Sequence, residues 1–438
     1  MNGFRSVFQN TVLWKVLSLN GIALLFRLGT GLILNKIIAI YLGTSGIALL
    51  GNFRNFVTSL QYVATGGMSN GIVKYAAEYH KSPEKLSGLL SSSLVVIAVL
   101  NICIGLGLLL FSSFWQQYIF DSFTIPYYKT LFWILTGTIP VFSLTSVFVS
   151  LWNGLSFHTR FIVTHLIANI LGFGLQVFLI SQFDLEGGLL GISILPVFVF
   201  IPFLIYAFRD QIRRLPSLAL STRSVDVSVI KDLGSFAVMT FASGWVLPQV
   251  LIWIRSELIA EVGISYAGYW EAIQQVSRSY MAFVTSIILL YLFPKLVQAT
   301  SNYRFQMTVF SFLKFMLPLA LLGMLILYFS RFWVVRILFT DTFLPMTELF
   351  VWQLAGDFVK ITAISIAYQF LAKKMFWPFL ISEFISVFSI LGFSLFFIQL
   401  YGYTGAVIGH FVGYVWYLCL VLFMLRKVLF SKNRIYLS

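Results

Sequence analysis

Mostly apolar stretches of about 20 residues or more follow one another along the whole chain, each closed by glycine, proline, asparagine or a cluster of charge. A helix rising 1.5 Å per residue needs about 20 residues to cross ~30 Å of hydrocarbon. The pattern predicts twelve spans, near residues 14–42, 46–75, 86–110, 127–155, 160–181, 187–208, 232–256, 264–294, 306–330, 346–371, 376–399 and 403–426. The longest polar interruption, 209–231 (RDQIRRLPSLALSTRSVDVSVIK), carries five basic residues and parts six spans from six. The expected architecture is an all-α integral membrane protein of about twelve transmembrane helices. Residues 1–208 form an N-terminal six-helix lobe, 209–231 a basic cytoplasmic linker and 232–438 a C-terminal six-helix lobe.

An internal repeat supports the division. Ile38-Ala39, Leu42-Gly43 and Ser45 after the first span echo Ile259-Ala260, Val262-Gly263 and Ser265 after the seventh, with one residue of gap. Trp133 and Gly137 match Trp352 and Gly356, and Gly187/Gly191 match Gly405/Gly409, all at an offset of about 219. A 6+6 repeat of this kind suggests two pseudo-symmetric lobes related by an axis along the membrane normal, as expected of a carrier that rocks around a central site.

Composition agrees with the pattern. Of 438 residues 59% are hydrophobic, 18% aromatic and 10% charged, far below the ~25% charge of soluble domains. The net charge of +14 would suggest nucleic acid in a soluble protein, but cytoplasmic loops of membrane proteins collect Lys and Arg, and no nucleic-acid partner is expected. With both termini cytoplasmic, eighteen of the 29 Lys and Arg fall on that side and four (Lys129, Arg255, Arg331, Arg336) on the other. Cys103 and Cys419 lie in apolar runs and read as small apolar filler. The first residues show no cleavable leader, so the first span is expected to direct insertion. His80, His158, His165 and His410 are dispersed, and no metal site is expected.

The remaining seven cations lie inside spans: Arg27, Lys36, Arg54, Lys74, Arg278, Lys314 and Lys360, against three acids, Glu271, Asp357 and Glu383. A charge facing lipid at mid-bilayer costs about 2.5–3.5 kcal/mol, so such groups are expected to face a cavity, a counter-charge or the interface. Arg54 heads a polar series with Thr58, Gln61, Thr65 and Ser69. The eighth span carries Glu271, Gln274, Gln275 and Arg278, and the tenth Gln353, Asp357 and Lys360. With Arg27, these residues are expected to line a wet, net positive lumen. Other readings stand beside that one. Lys36 and Lys74 are near enough to span ends to snorkel, and Lys314 reads as an interfacial anchor. Asp357 with Lys360, and Glu271 with Arg278, could be structural pairs. Glu271, Asp357 and Glu383 are the ion-coupling candidates.

A positive lumen implies an anionic cargo, and guanidinium pairs bidentately with phosphate. No phosphate-binding G-x-x-x-x-G-K-[ST] loop is present. No cofactor is expected. The energy would come from an ion gradient, of protons or sodium, from the membrane potential, or from downstream consumption of product.

The strings Gly51-Asn-Phe-Arg-Asn-Phe, Gly71-Ile-Val-Lys-Tyr-Ala-Ala-Glu-Tyr-His80 and Trp352-Gln-Leu-Ala-Gly-Asp357 with Lys360 resemble those of Wzx-type flippases, in the multidrug, oligosaccharidyl-lipid and polysaccharide exporter superfamily. The resemblance covers nearly the whole chain. It implies a flippase that moves an undecaprenyl-pyrophosphate-linked O-antigen or enterobacterial common antigen unit from the cytoplasmic to the periplasmic leaflet of the bacterial inner membrane. It also implies a headgroup site at Arg54, Lys74 and Lys360, and a polymerase and chain-length regulator as pathway partners. One departure is Arg278, where the resemblance leads to an acid. The rivals are an O-antigen polymerase or membrane glycosyltransferase, and another 6+6 carrier of anionic solutes. The longest extracytoplasmic loop, about 331–345, is short for a catalytic one. The G-x-x-x-D-R-x-G-R-R loop of facilitators is absent, with Glu78-Tyr-His-Lys81 in its place.

Overall fold

The computed structural model describes residues 11–120, 123, 125–206 and 226–429. Most of the expected linker, 207–225, lies outside the described residues. Among the described residues ten helical stretches are long and apolar enough to cross a membrane, and the chain is a multi-pass membrane protein. Two of the ten are too long for one crossing. Ala23–Glu78 and Ile162–Phe203 have 56 and 42 residues, against the ~20 that one span needs. Each is broken. In α1 (Thr11–Ala64) Gly43 takes φ 62°, and in α6 (His158–Ile194) Asp184 takes φ 46°, conformations that end a helix. The ten stretches therefore hold the twelve spans that the hydropathy pattern predicts.

The chain divides into two compact units. The first comprises the described residues of Met1–Tyr41 and Phe53–Trp245, the second those of Leu42–Asn52 and Val246–Ser438. In lipid, helices gain little from apolar burial alone, so close backbone approach and interhelical hydrogen bonds must hold them together.

In the first unit, α2 (Ser69–Glu78), α3 (Pro83–Leu110), α5 (Tyr128–Gly154) and α8 (Val227–Phe241) enclose Ile72, Ala76, Leu89, Leu90, Val147, Leu151 and Leu233. Gly154 lets α5 rest on α2, since a Cβ there would sit 2.5 Å from the Val73 carbonyl oxygen. Asn101 of α3 donates to Ser143 of α5 at 2.8 Å. Between α1 and α2 the chain turns at Gly66 and Gly67, both with positive φ. The turn ends the face expected to run from Arg54 to Ser69. Ser69 is on a new helix and pairs with Ser146 at 3.3 Å.

The second unit contains α9 (Leu247–Val262), α10 (Ile264–Ile287), α12 (Asn302–Phe329), α14 (Phe350–Ala372), α15 (Phe376–Tyr401) and α16 (Tyr403–Met424). Gly402, at φ 60°, joins α15 to α16. Gly405 and Gly409 then press on Phe397 and Ser394, where a Cβ would fall 2.0 and 2.3 Å from backbone atoms. Gly187 and Gly191 in α6 face Leu179 and Gln176 at corresponding places, where a Cβ would fall 1.9 Å from the Leu179 carbonyl oxygen and 2.2 Å from the Gln176 side-chain oxygen. The same spacing in both units shows that the repeat read from the sequence is a repeated glycine-packed hairpin.

Large apolar side chains stay exposed all over these helices, Ile102, Trp133, Phe315 and Phe329 among them, as a lipid-facing surface requires. Cys103 and Cys419 belong to that surface rather than to the packed interior.

Candidate functional site

Within the second unit, α10, α14 and α16 bring seven polar side chains together around a carboxylate. Asp357 of α14 is completely buried. Its Oδ2 accepts from Ser277 Oγ at 2.6 Å, from Gln353 Nε2 at 3.0 Å and from the Tyr280 hydroxyl. Its Oδ1 faces His410 Nε2 of α16 at 3.1 Å. Gln353 in turn accepts from Gln274 Nε2 at 2.9 Å. A buried carboxylate without donors would cost several kcal/mol, and here four groups offset the lost water. One helical turn beyond Asp357, Lys360 holds its ammonium 5.1 Å from the centre of the Tyr414 ring, itself one turn beyond His410.

The string Trp352-Gln-Leu-Ala-Gly-Asp357 thus has a local explanation. Trp352 packs on Phe411, with ring centres 5.7 Å apart. Gln353 and Asp357 reach His410, and a Cβ at Gly356 would stand 2.5 Å from His410 Cδ2. Glycine at 356 is what lets the imidazole lie against α14.

A second cluster surrounds Glu271, on the neighbouring stripe of α10. Arg255 of α9 donates to Glu271 Oε2 and to Asn52 Oδ1, and lies over Trp270 at 5.3 Å. Glu271 Oε1 pairs with Arg278 at 2.6 Å and accepts from Gln275 at 3.3 Å. A Cβ at Gly51 would fall 2.9 Å from Glu271 Cδ, so Gly51-Asn52 are shaped to this ion cluster. Arg255 is wholly buried, whereas the charge count along the sequence puts it in an extracytoplasmic loop. Its pairing with Glu271 resolves the difference: the helix continues past Arg255 to Val262, and the acid sits on the next helix.

The chain matches no family model. It is 26% identical over 406 residues to the Lipid III flippase of Escherichia coli (strain K12), across 92% of this chain and 96% of that one. Among solved structures it is similar to an inward-facing MATE family transporter of the MOP superfamily, with TM-score 0.75 and 13% identity over 94% and 96% of the two chains. It is also similar to the Lipid II flippase MurJ in an inward closed conformation, with TM-score 0.69 and 16% identity over 94% and 89%. These likenesses set the chain among transporters rather than enzymes. The structural ones show an exporter fold, in agreement with the all-α membrane architecture expected from the sequence.

The other candidate residues are less gathered. In the first unit Arg27 and Lys74 are exposed, while Lys36, Arg54 and Gln61 are half-buried. The Lys74 ammonium lies 4.7 and 5.3 Å from the rings of Tyr75 and Phe236. Thr58 is exposed, and its hydroxyl bonds back to the Arg54 carbonyl at 2.8 Å, the usual satisfaction of a threonine within a membrane helix. In the second unit Glu383 is half-buried on α15, while Arg278 keeps 45% of its side chain exposed. Of the candidates, the structure joins Glu271 to Arg278, and Gln274 to Gln353 to Asp357. Sequence reasoning missed Arg255, Asn52, Ser277, Tyr280, His410 and Tyr414. The only signal available was the spacing of Ser277 and Tyr280 along the face begun by Gln274.

Proposed function

We propose that this protein is a flippase for an anionic lipid-linked saccharide, carried from the cytoplasmic to the periplasmic leaflet of a bacterial inner membrane by alternating access. The observation that carries the reading is the near full-length likeness to a Lipid III flippase. In finer detail, the cargo is an undecaprenyl-pyrophosphate-linked oligosaccharide of the O-antigen or enterobacterial common antigen type. The described charges support an anionic headgroup. Intramembrane cations outnumber acids, and the buried acids Glu271 and Asp357 already have their own donors. Arginine does not shed its proton to escape burial, so Arg54 and the half-exposed Arg278 are suited to phosphate oxygens. Arg27, Lys36 and Lys74 of the first unit and Lys360 of the second are the further cations proposed to serve the headgroup. Both termini are then cytoplasmic, and the polymerase and chain-length regulator act on the delivered unit.

Deletion of the coding sequence in the source bacterium tests this reading. The expected result is loss of surface polysaccharide, with lipid-linked oligosaccharide trapped on the cytoplasmic leaflet. Single repeat units on the cell surface would indicate a polymerase, and an unchanged glycan would overturn the proposal.

A further inference from the structure

The Asp357 network contains the one histidine that the described interactions tie to a buried acid. We propose that His410 and Asp357 form a proton-binding site, with His410 taking up one proton at Nδ1 and returning it during the transport cycle.

Geometry assigns the atoms. An ionised carboxylate only accepts, and Ser277, Tyr280, Gln353 and His410 can all donate to Asp357. Of the two contacts of His410 Nε2, the one with Asp357 Oδ1 at 3.1 Å is the shorter and needs a hydrogen on Nε2, so the Gln353 amide nitrogen at 3.3 Å is then a neighbour and not a hydrogen-bond partner. This tautomer leaves the Nδ1 lone pair to accept a proton. Adding it makes the ring an imidazolium held against a carboxylate, with no other bond made or broken. Imidazole is the side chain whose ordinary range of protonation overlaps physiological pH.

The groups around the pair can sense that change. On α10 stand Tyr280, bonded to Asp357, and Glu271 and Arg278, bonded to each other. On α14 and α16 stand Lys360 and Tyr414, and on α15 stands Glu383. On α9 Arg255 is committed to Glu271, and in the 3-10 turn at Asp341–Leu349 Glu348 is bonded to Tyr403. With Asp357 and Lys360 opposite in sign, protonation of His410 gives the inner cluster one positive charge. Gln353 touches both His410 and Asp357 and is bonded to Gln274, so the three helices share one polar core that responds to that charge.

The fold itself does not require the pair. At the repeat offset, Asp357 corresponds to Thr138 and His410 to Ile192. Thr138 simply bonds to the Ser193 carbonyl at 2.8 Å, and Ile192 is buried. One unit closes the same helices with a threonine and an isoleucine, while the other keeps a buried carboxylate against an imidazole.

The proton-binding site rests on the transport reading only for the step it drives, and it is tested without a saccharide. The full chain, labelled at histidine and held in lipid nanodiscs, is titrated by NMR from pH 5 to 9, with H410Q assigning the resonance among four histidines. The expected result is a titrating His410 signal. That pH response should differ in D357N, which removes the counter-charge, and in Y280F, which removes one donor from Asp357. pH jumps applied to proteoliposomes should give a charge displacement that H410Q abolishes and K314Q, at an exposed position of α12 outside the network, retains. A His410 signal that stays constant, or one that is identical in D357N and Y280F to the unsubstituted chain, would overturn the site. Proton binding without flipping would instead overturn the proposed function and leave this site standing.

Discussion

His410 Cδ2 lies 2.5 Å from the place where a side chain at position 356 would begin, so Gly356 and His410 are complementary across α14 and α16. The matching glycine of the repeat, Gly137, has nothing within 4 Å of the same point. Gly356→Ala is therefore expected to cost about 1–3 kcal/mol by overpacking. Gly137→Ala should be neutral or mildly stabilising through helix propensity. Thermal unfolding of both variants in one detergent checks this, and equal effects would contradict the packing described.

Arg255 and Arg278 share Glu271 but differ in depth. Arg255 is wholly buried and Arg278 is 45% exposed on its side chain. Removing a partner from a buried ion cluster costs about 3–5 kcal/mol, whereas exposed pairs contribute about 0–1 kcal/mol. Arg255→Ala should lower the unfolding temperature sharply, and Arg278→Ala only slightly. Replacing Arg255 and Glu271 together by methionine should recover most of the loss. If Arg255→Ala is as mild as Arg278→Ala, the cluster is not what holds α9, α10 and the segment around Asn52 together.

Asp226 caps α8, accepting from the Ser228 amide at 2.8 Å and the Ser228 hydroxyl at 2.7 Å. These bonds hold its carboxyl below the ordinary carboxylate range. Because the folded value is the lower one, the cap's contribution is complete above the unfolded value of about 3.9 and fades as pH falls through the folded value. Hydrogen exchange in the first turn of α8 should accelerate at low pH beyond its intrinsic rate. In Asp226→Asn, which caps without a charge, that pH dependence should disappear.

Much of the fold was legible because lipid imposes a simple code: long apolar runs, glycine at the close contacts and charge at the ends. The repeat of Gly187/Gly191 in Gly405/Gly409 was visible as spacing and proved to be packing. The polar stripe on α10 was visible too, since Glu271, Gln274 and Arg278 recur at helical intervals. What joins the stripes was not. Arg255 pairs across sixteen residues and Asn52 across more than two hundred, while His410 reaches Asp357 from a different helix. Hydrophobic periodicity within one helix carries no information about such distant pairings. The break at Gly66 and Gly67 was read through because the polar series from Arg54 to Ser69 keeps helical spacing, although Gly66-Gly67 and Ser69-Asn70-Gly71 are themselves turn signals.

The half-exposed Arg278 and half-buried Arg54 differ in kind from Lys314, which is exposed on α12. If the first two hold an anionic headgroup, Arg54→Ala and Arg278→Ala will reduce flipping more than Lys314→Ala at equal membrane abundance. Complementation of the deletion strain, scored by surface polysaccharide, measures this. Equal losses would remove both arginines from the proposed headgroup site.

The central claim is that this chain moves a lipid-linked saccharide across a bilayer, and reconstitution tests it most directly. The purified protein is placed in liposomes holding a fluorescent undecaprenyl-pyrophosphate saccharide, and the fraction open to an external glycosidase or quencher is followed over time. The account predicts that accessibility passes the outer-leaflet half only when the protein is present, and more slowly with Arg278→Ala. Accessibility that stays at the outer-leaflet fraction, with folded protein present and an imposed pH or sodium gradient of either direction, would contradict it.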